Sequence, residues 1–147
     1  MATVTRRAEA RWLGRLVEGS GTVSVASGGF PVQTYTLGGR GSDDSDLTSP
    51  EELIAAAHAS CLAMAVSAAL SGMGAEAPEI KVDAACAEGP VGDAYRIVSM
   101  ALTVAVRATD LDEGAIRAAV AAAAADCPVS ALMRGNVEVS LDVVVLG

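Results

Sequence analysis

Along residues 95–107 the chain alternates. Ile97, Ser99, Ala101, Thr103 and Ala105 fall on one face, and Val98, Met100, Leu102, Val104 and Val106 on the other. A period of two marks a strand with one buried face, here the second set. Glu79 to Glu88 carries a weaker version, with Val82, Ala84 and Cys86 aligned, and a Gly-Pro-Val-Gly-Asp turn joins the two. Asn136 to Leu146 repeats the pattern through Val137, Val139, Leu141, Val143 and Val145. Nearer the N-terminus, residues 8–17 predict a strand with Arg and Glu on one face. Glu18-Gly19-Ser20-Gly21 predicts a turn, and Thr22 to Ala26 a second strand. After Ser27-Gly28-Gly29, Pro31 to Leu37 predicts a short third.

Two stretches have a different period. In Thr48-Ser49-Pro50-Glu51-Glu52, Pro50 suits the first helical position, where its missing N–H costs nothing. Ser49 then falls at the N-cap and Glu52 three residues on, the spacing of a capping box. The helix predicted from Pro50 ends near Ser71-Gly72-Met73-Gly74. Its roughly 22 residues span about 33 Å at about 1.5 Å each. Asp110, with Glu113 three residues later, predicts the cap of a second helix running to about Asp126. Cys127-Pro128 interrupts it, because the residue before proline avoids helical geometry. Val129 to Arg134 predicts one further helical turn, broken by Gly135. Residues 38–49 predict a Gly, Ser and Asp loop in which Arg40 is the sole cation. The order βββ-α-ββ-α-β, with strands in runs, predicts an α+β fold with mainly antiparallel sheet and two long helices. No linker or repeat divides it, so residues 1–147 predict a single domain.

Composition narrows the core and the partners. The chain is 52% hydrophobic but only 3% aromatic. Much of its apolar content is alanine, which predicts close small-residue packing and hints at an oligomer. A net charge of −8, with Lys81 the only lysine, argues against nucleic acid, whose phosphates need clustered cations. It argues equally against an anionic membrane surface. No signal peptide is visible, and no charge-free apolar run of membrane-spanning length is expected. The predicted compartment is the cytoplasm. There Cys61, Cys86 and Cys127 rest as thiols, and a working cysteine pair is catalytic rather than structural. No Cys-x-x-Cys or Cys/His ligand cluster is present, so no metal is expected.

Cys61 lies inside the first helix. Ala57, Cys61, Met64 and Ala68 share a helical stripe, which suits plain core packing. Cys127 changes that reading, because it sits at a helix break directly before proline, where thiol pKa values can fall. Cys86, mid-strand among alanine and valine, reads as packing. His58, the only histidine, is one turn from Cys61, so a Cys61/His58 acyl hydrolase is conceivable. Neither an orienting third group nor a slot for substrate between the two is evident. Glu51 is the acid at the helix start that capping leaves unexplained. Its ordinary role is a surface ion pair with a cation such as Arg40. Glu51 and Cys61 stand about 15 Å apart along the helix axis. If both serve one site, Glu51 must come from a second subunit or the helix must be interrupted. A two-fold dimer supplies the former.

The stretch Thr-Ser-Pro-Glu-Glu-Leu-Ile-Ala-Ala-Ala-His-Ala-Ser-Cys (48–61), with Cys-Pro-Val-Ser at 127–130, resembles the OsmC/Ohr family of peroxidases, in its OsmC-like branch. Trp12-Leu13-Gly14 and Gly21-Thr22-Val23-Ser24 are similar to it as well. The resemblance covers essentially the whole chain. It implies an OsmC-like fold, an intertwined homodimer, and reduction of organic hydroperoxides, and more weakly of hydrogen peroxide, without cofactor or metal. It implies that Cys61 is the peroxidatic and Cys127 the resolving cysteine. It further implies that Arg40 polarises the thiolate and that Glu51 holds Arg40. A dithiol reductant, either a small thiol or a lipoylated or thioredoxin-like protein, would reopen the disulfide. Gly41 departs from the family, which often places an aromatic residue after the arginine; Asp43, Asp44 and Asp46 follow in the same loop. The rival readings are the hydrolase and a non-enzymatic, stress-related binding or structural module whose thiols only pack.

Overall fold

The computed structural model describes residues 2–147. The chain forms two compact units, one reaching to Leu53 and the other Ile54–Gly147. The first contains an antiparallel sheet of β1 (Ala8–Leu13), β2 (Ser20–Val25) and β3 (Gln33–Tyr35), in that order, followed by the short helix α1 (Leu37–Arg40). The strand expected over 8–17 therefore stops at Leu13. There the Trp12 indole donates to the Gly14 carbonyl at 3.1 Å and the chain turns back through a Gly19 N–H to Arg15 carbonyl bond. Gly21 pairs with Trp12 on one side and Tyr35 on the other. A Cβ there would lie 2.3 Å from the Tyr35 ring, so only glycine lets the Trp12 and Tyr35 rings approach to 5.6 Å between centroids.

Helix α2 (Pro50–Gly72) begins in the first unit and forms the core of the second. Ser49 caps it as expected, its hydroxyl accepting from the Glu52 N–H at 3.1 Å. Its buried stripe is His58, Leu62, Val66 and Leu70, spaced one turn apart. The stripe expected through Ala57, Met64 and Ala68 faces outward instead, with Met64 75% exposed. Both stripes are apolar, so periodicity alone did not say which one turns inward. The expectation that no stretch suits a membrane is also corrected. By length and composition α2 could cross one, since residues 53–72 carry no charge. In this fold its inner stripe belongs to a core shared with strands and helices of the same unit.

The second sheet runs β4 (Glu79–Val91), β5 (Ala94–Arg107), β6 (Glu138–Val145), with β5 central. β4 and β5 are antiparallel, but β6 joins β5 in parallel. A parallel neighbour requires a crossover. Helices α3 (Glu113–Asp126) and α4 (Pro128–Met133) provide it. Inward residues align in rows: Cys86, Met100 and Val139; Ala84, Leu102 and Leu141; Val82, Val104 and Val143. Cys86 thus lies in a packing row, as expected. Met100, Leu102, Val104 and Val106 are buried against Leu62, Val66, Leu70, Ile116 and Val120, while Val98, expected with them, is 36% exposed where the β4–β5 register shifts.

The α3 cap is Asp112, whose carboxylate accepts from the Ala115 N–H at 2.9 Å. Asp110, expected in that role, instead accepts from the Glu76 N–H at 3.2 Å and ties the end of α2 to the start of α3. Asp112→Ala and Ser49→Ala should each lower the unfolding free energy by about 1 kcal/mol, the usual worth of an N-cap. Urea denaturation followed by circular dichroism measures this. An unchanged midpoint in either variant would refute that cap.

Candidate active site

Each unit carries one pair of the residues singled out by sequence. In the first, Thr36 caps α1 by accepting from the Gly39 N–H at 3.0 Å, which sets Arg40 at the helix end. The Arg40 guanidinium meets the Glu51 carboxylate. Nη2 donates to Oε1 at 2.6 Å, and Nε lies 3.2 Å from both oxygens. This engages two donors on one edge of the guanidinium and fixes its plane, a geometry that lysine cannot reproduce. The Glu51 side chain is 9% exposed and the Arg40 side chain 42%. The acid is the buried anchor and the cation the presented group.

In the second unit, Cys61 and Cys127 meet. Their sulfurs lie 3.2 Å apart and share a hydrogen bond. A disulfide needs about 2.05 Å, so a small movement closes the gap. Cys61 comes from the middle of α2 and is partly exposed; Cys127 is fully buried. Pro128 explains the placement of Cys127. It starts α4 and forces Cys127 out of helical geometry, at ψ 124°, so this residue ends one helix and begins the next.

The two thiols are not equivalent. Burial pushes the Cys61 thiol up, and the Cys127 sulfur adds to this; the Val129 N–H offsets it in part. Burial raises Cys127 too. The Ser130 N–H, the Cys61 thiol, the Ser130 hydroxyl and the Val129 N–H together outweigh it, and Cys127 lies below its ordinary value. Donors converge on Cys127 because α4 starts there and its first N–H groups have no helical acceptor. Of the two sulfurs, Cys127 is the one whose surroundings favour the thiolate.

Sequence reasoning missed one contact. His58 Nε2 lies 2.8 Å from the Ser130 hydroxyl, and both residues are buried. The signal was available: His58 is one turn before Cys61 and Ser130 one turn after Cys127, so the two helices that bring the sulfurs together also bring these side chains together. Nδ1 of His58 makes no hydrogen bond. A hydrogen-bonded Cys61/His58 dyad is therefore absent, since Nε2 serves Ser130 and Nδ1 serves nothing. Among the described residues no cluster of three or more His, Cys, Asp or Glu is arranged to hold a metal ion.

Burial lowers the His58 pKa from 6.5, leaving the ring neutral at pH 7. The unfolded chain then binds a proton that the folded chain refuses. Stability should fall as pH drops below about 6.5 toward the depressed folded value, and level off below it. His58→Gln should remove this component. The difference in urea midpoint between the two proteins, measured from pH 7.5 to 5, isolates it from the carboxylates; parallel curves would refute a buried neutral histidine.

A family profile described as OsmC-like protein matches residues 41–142. The chain is 34% identical over 140 residues to Peroxiredoxin OsmC of Escherichia coli (strain K12), covering 95% of this chain and 96% of that protein. Among solved structures, it is similar to the organic hydroperoxide resistance protein OhrB of Bacillus subtilis. That match has a TM-score of 0.70, 25% identity, and coverage of 97% of this chain and 99% of that one. An organic hydroperoxide resistance protein from Elizabethkingia anophelis shares the fold at a TM-score of 0.79 and 22% identity, covering 99% and 100% of the two chains. The match in both sequence and fold runs nearly end to end, and the chain belongs to the OsmC-like protein family.

Proposed function

We propose that this protein is a cytoplasmic, homodimeric thiol peroxidase, residues 1–147 acting as one domain, that reduces organic hydroperoxides and more weakly hydrogen peroxide. The observation that carries the reading is the 3.2 Å approach of the Cys61 and Cys127 sulfurs. The names of the relatives, a peroxiredoxin and organic hydroperoxide resistance proteins, point the same way. Cys61 is the peroxidatic residue because peroxide must reach the sulfur, and Cys127 is fully buried. The Cys61 thiolate attacks one peroxide oxygen and breaks the O–O bond; the alkoxide takes a proton and leaves as alcohol. Cys61 is then a sulfenic acid. Cys127 displaces its hydroxyl as water and forms the disulfide, and a dithiol reductant, a small thiol or a lipoylated or thioredoxin-like protein, reopens it.

The raised Cys61 thiol explains why a separate cation is required. Arg40, fixed by Glu51, is that cation. The reach of the helix favours a trans arrangement in an intertwined dimer, with Arg40 and Glu51 of one subunit serving Cys61 of the other. An apolar cavity of about 220 Å³, lined by Ala10, Val23, Tyr35, Pro50 and Leu53, lies at the start of α2 and suits an organic tail.

The test is consumption of cumene hydroperoxide and of hydrogen peroxide by reduced protein, with dihydrolipoamide, thioredoxin or glutathione as the electron source. The reading requires faster consumption of the organic peroxide with at least one dithiol. No consumption above the protein-free rate with any of them would overturn it.

A further inference from the structure

We propose that His58 and Ser130 form, with Cys127, a buried hydrogen-bond chain that holds Cys127 ready as the resolving nucleophile. His58 Nε2 donates to the Ser130 hydroxyl, which donates in turn to the Cys127 sulfur. The inference rests on the peroxidase reading for its purpose, but not for its existence.

Three observations fit together. His58 Nε2 and Ser130 Oγ are 2.8 Å apart, and both residues are buried. Ser130 is the third residue of α4, one turn from Cys127 at the N-cap, which places its hydroxyl to turn its hydrogen toward that sulfur, and it is among the groups that favour the Cys127 thiolate. A hydroxyl has one hydrogen. Having given it to Cys127, Ser130 must accept from His58, which fixes the imidazole as the Nε2–H tautomer. Nδ1 is then a bare lone pair, and Nδ1 is the one ring atom that has no partner. The opposite direction would make Nε2 the acceptor and put the ring's hydrogen on Nδ1, a buried donor with no acceptor, and a full proton transfer to the ring would create a buried imidazolium. Burial of the ring opposes this. The chain therefore works as a relay of donors and not as a general base. Cys61 on α2, with Val129 and Ser130 on α4, supplies the groups that act on Cys127, and none carries a charge.

This gives the pair an order. The Cys127 thiolate is favoured by the Ser130 and Val129 N–H groups and by the Ser130 hydroxyl with His58 behind it, while Cys61 has the Val129 N–H alone. Once Cys61 is a sulfenic acid, the Cys127 thiolate attacks its sulfur. The S–S bond forms, the S–O bond breaks, and the departing hydroxide takes the proton that Cys127 had released, giving water. In this chain Ser130 donates to the reacting sulfur, and His58, acting through Ser130, is a positioning residue.

The experiment titrates thiolate absorbance near 240 nm in a Cys61→Ser, Cys86→Ala background, where Cys127 is the only thiol. Ser130→Ala should raise the Cys127 midpoint, and His58→Leu should raise it less. His58→Gln, which keeps a donor near Nε2, should restore it. In the parent protein with all three cysteines, Ser130→Ala should slow disulfide formation after a single peroxide addition about tenfold, as expected for the loss of one charge-assisted hydrogen bond. An unmoved midpoint in Ser130→Ala overturns the chain. So does a His58→Gln protein that titrates like His58→Leu, which would mean that the ring only fills space. Should His58→Leu fail to fold, Ser130→Ala and His58→Gln decide the question between them. The titration uses no peroxide, so the two readings fail separately. A shifted midpoint without any peroxide-driven disulfide leaves the chain standing and removes the peroxidase. Rapid disulfide formation with an unmoved midpoint does the reverse.

Discussion

Cys61→Ser should consume no organic hydroperoxide above the protein-free rate, a loss of at least about 10³-fold, because removing a nucleophile removes the step it performs. Cys127→Ser should behave differently. Its Cys61 can still attack once, but nothing resolves the product. The intact mass of this variant should rise by one oxygen after a stoichiometric peroxide addition and should fall back only with excess reductant. The parent protein should instead lose two hydrogens as Cys61 and Cys127 join. Cys86→Ala should keep full activity, since Cys86 lies in a row of inward sheet residues beside Met100. Mass spectrometry of reduced and peroxide-treated protein reads all four cases. An oxygen trapped in Cys61→Ser but not in Cys127→Ser would reverse the roles, and the geometry shows why that outcome is worth testing. The donors favour the thiolate at Cys127, the sulfur without access, whereas burial raises the Cys61 thiol. The assignment of Cys61 as the attacking residue depends on exposure and on a cation brought to it, not on its intrinsic acidity within the unit.

Most of the strands, both long helices and the α2 cap were legible because each has a local cause: alternation in β5, Ser49-Pro50 at α2, Cys127-Pro128 between α3 and α4. What the sequence did not disclose has a common origin. Two chemically similar choices lay side by side, and only tertiary contacts separated them. Asp110 and Asp112 both suit an N-cap, and Asp110 is drawn away by the Glu76 N–H. Two apolar stripes run along α2, and the one bearing Leu62 and Val66 meets the sheet while Met64 does not. The parallel pairing of β6 with β5 cannot be read from β6 itself, whose alternation suits either direction. For the site, residue types and the family resemblance led to Cys61, Cys127, Arg40 and Glu51. The structure joins them as two pairs, one in each unit. The His58–Ser130 bond is not legible locally, because the partner of His58 comes from 72 residues away on another helix.

Arg40→Met should lower kcat/KM for an organic hydroperoxide by about 10²–10³-fold, the range for losing one group that stabilises charge in the transition state. Glu51→Ala should cost a similar or smaller factor, because the guanidinium survives but loses the carboxylate that fixes its plane. Neither should slow the Cys61–Cys127 condensation once sulfenic acid is present, which separates them from Ser130→Ala. The trans arrangement makes a stronger prediction. Mixing Glu51→Ala and Cys61→Ser homodimers under conditions of subunit exchange creates heterodimers. In one of their two sites both defects coincide. The other receives Arg40 and Glu51 from the Cys61→Ser subunit and both cysteines from the Glu51→Ala subunit, and is intact. Activity should therefore recover to about half that of the parent per heterodimer, far above either starting variant. In a cis arrangement each site keeps one defect and nothing recovers, so a mixture no more active than its parents would refute the shared site while leaving the cysteine chemistry untouched.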